Sequence, residues 1–245
     1  MKLSLSIYCT TISFLLIFSN SMTQIWFDIG LNAGLGTSFI TQKDFYQVNQ
    51  VNFLPQLNTT YSTKIGVNFT DKHAVIIDLG VNNRNFSIDQ NEVPNMDISD
   101  TYRMDFGCSG FRLAALYRKT DESVFIELGS EFGKVSKTYR IDPVSTMISG
   151  GEFTNEYIRG VLGIGGYVFG NERVTFVMGL RIMYDFTDLR SAYGESISFP
   201  LHNYYQSPNP SPLGALDFQV NFELNISLGF LYRNKCGSRV LMFQW

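Results

Sequence analysis

The stretch Leu216 to Tyr232, LDFQVNFELNISLGFLY, decides the fold. Its nine even positions are all apolar, and its odd positions are polar or small except for Leu231. Because successive side chains of a strand point to opposite faces, this alternation predicts a β-strand with one apolar and one polar face. Strands of globular proteins usually have about 5–6 residues. A much longer alternating strand favours a transmembrane β-barrel, with apolar side chains toward lipid and polar side chains toward the lumen.

Seven further segments alternate in a similar way, so the sequence predicts eight strands in all. The other seven are Ile25–Phe39, Thr60–Phe69, Val75–Ile88, Thr101–Arg118, Val124–Ile141, Phe153–Phe169 and Val174–Phe186. The connections between them are alternately long and short. Outer-membrane barrels have an even number of strands, short turns at the periplasmic end and long loops outside. We therefore predict an all-β, eight-stranded antiparallel up-and-down transmembrane β-barrel in the cell outer membrane; a soluble barrel or sandwich fits the long strands and sorted loops less well.

Two strands show an apparent change of phase. The apolar positions of the third strand change phase near Phe86, and the fourth has Met104 and Phe106 in one phase but Phe111 and Leu113 in the other. An extra residue in one strand produces such a change. We therefore predict bulges near Phe86 and at residues 107–110, with Met104 and Phe106 facing lipid.

The N-terminus is typical of a secretory signal peptide. Lys2 precedes an apolar run that ends at Phe18, and Ser21-Met22-Thr23 supplies small residues before a predicted cleavage at Gln24. The run is too short and too interrupted for a comfortable membrane helix. The predicted organisation is a signal peptide over residues 1–23, a barrel over 24–233 and a C-terminal tail over 234–245.

Composition excludes several classes of function. The chain has 19 basic and 22 acidic residues and a net charge of −3, which gives no nucleic-acid-binding footprint. The three cysteines and two histidines have no metal-site spacing. We predict no cofactor, no metal and no enzymatic activity; the expected partners are outer-membrane lipid and an envelope or secretion protein.

Charged residues recur at the positions predicted to face the lumen. They are Asp28, Lys64, Asp78, Arg84, Arg103, Asp105, Arg112, Glu127, Glu131, Arg159, Arg181, Asp185, Asp217 and Glu223. They could line an ion conduit or form a paired plug. The plug is favoured because an eight-stranded barrel is just wide enough for its own side chains, and confined charges are tolerated only when paired.

The longest predicted loop, Thr187 to Leu213, is rich in aromatic residues and proline. Its candidate contact residues are Tyr193, Phe199, His202, Tyr204 and Tyr205. Exposed aromatic side chains commonly anchor protein contacts, but the same residues could fold over as a cap that seals the barrel mouth. Both interpretations stay open. A catalytic use of His202 with Glu195 has no supporting spacing.

The opening segment Phe27–Gly34, FDIGLNAG, and the closing segment Gly229–Arg233, GFLYR, resemble those of an outer-membrane β-barrel domain family common in Bacteroidota. That family includes the PorT-like proteins of type IX secretion. The chain departs from its pattern in having twelve residues after the last strand. The resemblance implies an exported barrel without catalytic residues. The predicted function is envelope assembly, secretion or surface binding through the outer loops; the alternatives are a narrow passive pore and, less favoured, a lipid-modifying enzyme.

Overall fold

The computed structural model describes residues 25–43, 51–70, 72–90, 102–141, 151–171, 173–196, 199–200, 211–233 and 239–242. The predicted signal peptide lies outside these residues. The strands are β1 (Ile25–Ile40), β2 (Val51–Leu54), β3 (Leu57–Thr70), β4 (His73–Gln90), β5 (Tyr102–Asp121), β6 (Val124–Ile141), β7 (Glu156–Gly170), β8 (Val174–Asp185), β9 (Ala215–Arg233) and β10 (Arg239–Met242). A short helix, α1 (Ala192–Ser196), lies between β8 and β9.

Eight of these strands form a closed ring. The order is β1, β3, β4, β5, β6, β7, β8 and β9, and β9 pairs back onto β1. This closing pair runs from Ile25 opposite Leu231 to Ile40 opposite Ala215. Every pairing is antiparallel. The prediction of an eight-stranded up-and-down barrel is therefore confirmed, and β9, which contains Leu216–Tyr232, completes the ring.

The two faces of the ring have opposite chemistry. Large apolar side chains point outward, and Leu31 and Leu128 are 62% and 64% exposed. In the middle of the barrel, charged side chains point inward, and Asp78 and Arg112 are almost completely buried. Soluble monomers rarely expose continuous apolar surface on this scale, whereas a closed barrel with all backbone groups paired can place such a surface against lipid. The barrel therefore spans a membrane.

The predicted changes of phase in the third and fourth strands are wrong. β4 and β5 pair without any shift of register, and Phe86, Ile88, Met104 and Phe106 are all buried. An apolar residue does not mark the lipid face at this end of the barrel, because the interior is itself apolar there. A bulge does lie beside Gly110, but its extra residue is Ser136 of β6.

Two short strands extend the ring at its ends. β2 continues the line of β3 beyond Pro55 and pairs with β4. Proline has no N–H to donate to a ladder, so a break is expected there. β10 pairs with the last residues of β9, from Phe230 to Arg233, and so lies within the segment predicted as a tail.

The two ends of the barrel differ in the length of the connections between strands. Residues 122–123 form one short turn, and the connections at residues 71–72 and 171–173 are similarly brief, so this is the short-turn end. The other is the long-loop end. None of the helices in the described ranges is long and apolar enough to cross a membrane.

The depth of the apolar band can be measured with lysine substitutions. Leu31 lies near the middle of β1. The substitution Leu31→Lys should lower the unfolding free energy by about 2–4 kcal/mol, because the charge would lie near the bilayer midplane. Phe186→Lys, at a 69% exposed position beyond β8, should cost about 0–1 kcal/mol. Reversible urea unfolding in lipid vesicles measures both values, and equal costs would contradict the proposed membrane placement.

Candidate functional site

The middle of the lumen contains a charge-balanced network. Among the described residues, six cations and six carboxylates with 5% exposure or less take part. The cations are Lys64, Arg84, Arg112, Arg118, Arg159 and Arg181, and the carboxylates are Asp78, Glu127, Glu131, Asp185, Asp217 and Glu223. Because the two sets are equal in number, the network has no net charge when all twelve groups are ionised.

The part nearest the short-turn end is built around two glutamates. Lys64 forms an ion pair with Glu223. Arg118 lies 2.6 Å from Glu127 and 2.7 Å from Glu223. Arg181 donates to the same two carboxylates at 2.8 Å and 3.4 Å. Each glutamate thus receives charge-assisted hydrogen bonds from more than one cation, which is the arrangement that makes buried charge tolerable.

The next part continues toward the long-loop end. Arg112 lies between Asp78 and Glu131, at 2.7 Å and 2.8 Å. Arg159 then pairs with Glu131 at 2.6 Å and also with Asp217. The shared carboxylate of Glu131 therefore connects one arginine to the next across the lumen.

Two further contacts make the network continuous. Arg181 lies 3.2 Å from Asp78, which joins the first part to the second. Arg84 donates to Asp185 at 2.7 Å and to Asp217 at 3.1 Å, which carries the network to its end. All twelve groups therefore belong to one connected set.

Three predicted lumen residues lie outside this set. Arg103 is 51% exposed in its side chain and pairs with Asp105 at 3.2 Å on the outer face. Both were assigned to the lumen because β5 was predicted to change phase, and it does not. Asp28 lies near the short-turn end, where the amide of Asn68 donates to it at 2.6 Å.

Arg118 belongs to the network but is missing from the predicted set. It lies near the end of β5, where we expected the strand to stop, and the structure extends that strand to Asp121. The signal was present in the sequence, because Arg118 shares its phase with Arg112. Its guanidinium also stacks on the ring of Phe125, with Cζ 4.0 Å from the ring centroid.

The remaining space in the lumen is small. A cavity of about 180 Å³ opens at the short-turn end and reaches Lys64, Arg118 and Glu223. Deeper in, beside Arg84 and Arg159, the void has only about 10 Å³. That is the lower limit of the space one water molecule needs. The network therefore fills the lumen at this level.

An apolar cluster, here called the cap, lies above the network at the long-loop end. Its buried residues are Ile40, Phe86, Ile88, Met104, Phe106, Phe153, Tyr157, Leu189, Phe199, Leu213 and Ala215. The rings of Phe106, Phe153 and Phe199 pack together, with centroids 5.1 Å to 6.0 Å apart. Strand residues and residues from the long connections thus share one core.

Backbone hydrogen bonds fix the loop segments of the cap. The N–H of Thr154 donates to the carbonyl of Leu189 at 2.8 Å, and the N–H of Leu189 donates to the carbonyl of Leu213 at 2.9 Å. The N–H of Phe199 donates to the carbonyl of Gly194 at 2.9 Å. These bonds tie two different long connections into one layer over the barrel mouth.

Tyr157 joins the cap to the network. Its hydroxyl accepts a hydrogen bond from the amide of Asn82 at 2.6 Å. The guanidinium carbons of Arg84 and Arg159 lie 5.3 Å and 5.5 Å from its ring centroid, within the range of cation–π attraction. Gly133 leaves room for the ring, because a Cβ there would lie 2.0 Å from Cζ of Tyr157.

The aromatic residues predicted as contacts in the longest loop differ in their exposure. Phe199 is 2% exposed and belongs to the cap, so it is not available for contact. Tyr193, on α1, is 56% exposed. His202, Tyr204 and Tyr205 lie outside the described residues. The structure thus places Phe199 in the cap and leaves Tyr193 exposed, and the contact role of this loop stays a prediction.

Comparisons with known proteins give structural similarities only. No protein-family model matches the chain, and no curated protein matches it at a significant level. The solved structure of Ail, the attachment invasion locus protein of Yersinia pestis, is 11% identical with a TM-score of 0.41, and the match covers 82% of this chain and 99% of that one. Neisserial surface protein A is 10% identical with a TM-score of 0.41, over 81% of this chain and 96% of that one. The outer membrane protein OprG from Pseudomonas aeruginosa is 12% identical with a TM-score of 0.37, over 83% and 96%.

The fold of this chain rests on its own strand pairing. A closed ring of eight antiparallel strands with an apolar exterior and short turns at one end has the architecture of outer-membrane barrels. The chain is an outer-membrane β-barrel. Within the described ranges, no group of three or more His, Cys, Asp or Glu side chains could hold a metal ion.

The network predicts a large and selective cost for removing one cation. Arg181→Ala should lower the unfolding free energy by about 3–5 kcal/mol, because buried carboxylates would lose a partner. Arg103→Ala is the matched control, since its pair is solvent-exposed and worth at most about 1 kcal/mol. Urea titrations in lipid vesicles compare the two variants. Similar small losses would show that the network does not stabilise the barrel.

Proposed function

We propose that this protein is a closed, non-enzymatic outer-membrane barrel that works through contacts made at its long-loop end. The observation that carries the proposal is the double closure of the lumen. The twelve-residue network fills its middle, and the cap covers its mouth. A barrel that transmits nothing through its interior must act through its surface.

A passive pore has weak support in this geometry. An eight-stranded ring has an interior only wide enough for side chains, and its void beside Arg84 and Arg159 is about 10 Å³. Ions would have to separate charges that now neutralise each other. The cavity at the short-turn end does not change this, because it stops at Lys64 and Glu223.

The described part of the long-loop end supports a contact role because its backbone is hydrogen-bonded and an aromatic side chain on it is exposed. The hydrogen bonds at Leu189 and Phe199 hold the loop backbone, and they leave the ring of Tyr193 in solvent. An aromatic side chain presented by a fixed backbone loses little conformational freedom on binding. Envelope assembly or secretion, implied by the resemblance to PorT-like proteins, is the narrower form of this proposal.

A lipid-modifying enzyme would need a base, a nucleophile and an orienting group in one place. The described histidine, His73, lies at the short-turn end with its ring nitrogen 2.5 Å from the hydroxyl of Tyr117. Neither residue belongs to the long-loop end. This contact supports a structural role for His73 rather than a catalytic one.

Conductance measurements test the closure. The purified chain should give no discrete current steps in planar lipid bilayers. Arg181→Ala and the double variant Phe153→Ala with Phe199→Ala should also stay closed, because each leaves the other barrier in place. Reproducible steps from the unmodified chain would contradict the proposal and favour the passive pore.

Photo-crosslinking on intact cells tests the contact role. A benzophenone amino acid at position 193 should give a discrete protein adduct, because Tyr193 is exposed on the cap side. The matched control is position 31, which is equally exposed on the ring but faces acyl chains. Protein adducts at neither position, or the same adduct at both, would contradict a contact surface at the long-loop end.

A further inference from the structure

The bulge at Ser136 gives β6 two outward-facing lysines. In a regular strand, residues three positions apart point to opposite faces. Here Lys134 lies opposite Phe111, and Lys137 lies opposite Ser109. Phe111 and Ser109 are two positions apart and therefore share the outer face of β5. The extra residue thus re-aims Lys137 out of the barrel, and both lysines are exposed.

Gly110 of β5 lies beside this bulge and allows the two strands to approach closely. A Cβ at this position would lie 2.1 Å from the carbonyl oxygen of Lys134 and 2.9 Å from Cα of Val135. Both neighbours are backbone atoms, so a side chain could be accommodated only by moving β6. The close approach of the two strands beside the bulge therefore depends on glycine.

The re-aimed Lys137 borders a groove on the outer face of the ring. The groove has a volume of about 510 Å³ and lies across β3, β4, β5 and β6. Its apolar side is formed by Tyr61, Val81 and Phe111, and its polar side by Asn83, Ser109 and Lys137. The apolar residues are successive cross-strand neighbours, as are the polar ones.

Along β4, the polar side of this groove interrupts a row of outward apolar residues. Val75, Ile77, Leu79 and Val81 are the outward residues of β4 before Asn83 follows in the same phase. A polar group on a lipid-facing surface is costly unless it finds a polar partner. The lipid headgroup is the partner available at this place, because the apolar side chains beside it face the acyl chains.

Charge decides which headgroup fits. The residues that line the groove include Lys137 and no carboxylate. Within the described part of the chain, Lys137 forms no ion pair. Lys134 lies three residues earlier on the same outer face, but the exposed carboxylate of Glu156 of β7 is directly opposite it and offsets its charge, so Lys137 carries the unopposed positive charge of the groove. Each basic residue near a membrane surface attracts anionic lipid by about 1 kcal/mol.

We propose that this groove is a binding site for a phosphate-bearing lipid of the surrounding leaflet. An acyl chain lies against Tyr61, Val81 and Phe111, and the phosphate accepts hydrogen bonds from Lys137. The site is on the flank of the barrel, so it is separate from the contact role proposed for the long-loop end.

Native mass spectrometry of the full chain in maltoside micelles tests the site. The probes are dioleoyl phosphatidic acid and, as the zwitterionic reference, dioleoyl phosphatidylcholine. The unmodified chain should bind phosphatidic acid more tightly. Lys137→Gln should weaken that binding about 5-fold, from the energy per basic residue at a membrane surface. Lys134→Gln should weaken it less, because Glu156 already offsets the charge of Lys134. Heat-dependent gel mobility verifies that each variant is folded.

Two control variants distinguish specific lipid binding in the groove from nonspecific attraction between lysines and an anionic lipid. Lys119→Gln makes the same charge change on an exposed lysine near the short-turn end, and it should leave the affinity within about 2-fold, since only one distant charge is lost. Ser109→Phe fills the groove without changing charge and should weaken phosphatidic acid binding.

Four results would overturn the proposal. They are equal affinity for the two lipids, equal losses in Lys119→Gln and Lys137→Gln, an unchanged affinity in Ser109→Phe, and displacement of the lipid by an equal concentration of glycerol 3-phosphate. The last result would mean that phosphate alone is recognised and that the groove is not used.

Discussion

The mutual neutralisation of twelve buried charges is the constraint on which the rest of this barrel depends. Seven of the eight ring strands contribute to the network, and contacts such as Arg112 with both Asp78 and Glu131 cross from strand to strand. A register slip of one residue would turn a strand's charged set toward lipid and its apolar set into the lumen. The ion pairs and the lipid face therefore specify the same register from opposite sides of the sheet.

The network also supports the proposal that the protein acts through its outer surface. A lumen filled by paired side chains leaves no path, and the cap of Phe106, Phe153 and Phe199 closes the mouth independently. Tyr157 couples the two barriers, because it touches arginines on one side and belongs to the apolar cluster on the other. The two surfaces that we propose for binding therefore lie on the outside, at the described part of the long-loop end and on the flank where Ser136 re-aims Lys137.

The wrong phase predicted for parts of β4 and β5 comes from one assumption. Apolar residues in the strands were assigned to lipid, and this holds for Leu31, Leu128 and the outward positions of β9. It does not hold for Met104 and Phe106, which face inward because the long-loop end of the lumen is an apolar core. The false change of phase then carried Arg103 and Asp105 into the predicted lumen set.

The sequence by itself determined the eight strands of the ring, their bounds to within a few residues and the alternation of long and short connections, because a period of two and the lengths of the gaps are local properties. It also indicated most of the charges that meet inside. Tertiary structure decided which charges pair, that Phe199 is buried while Tyr193 is exposed, and that Ser136 is the extra residue in β6. These outcomes depend on which residues from distant strands lie opposite one another, and a bulge or a packed cap exists only once those strands have closed the ring.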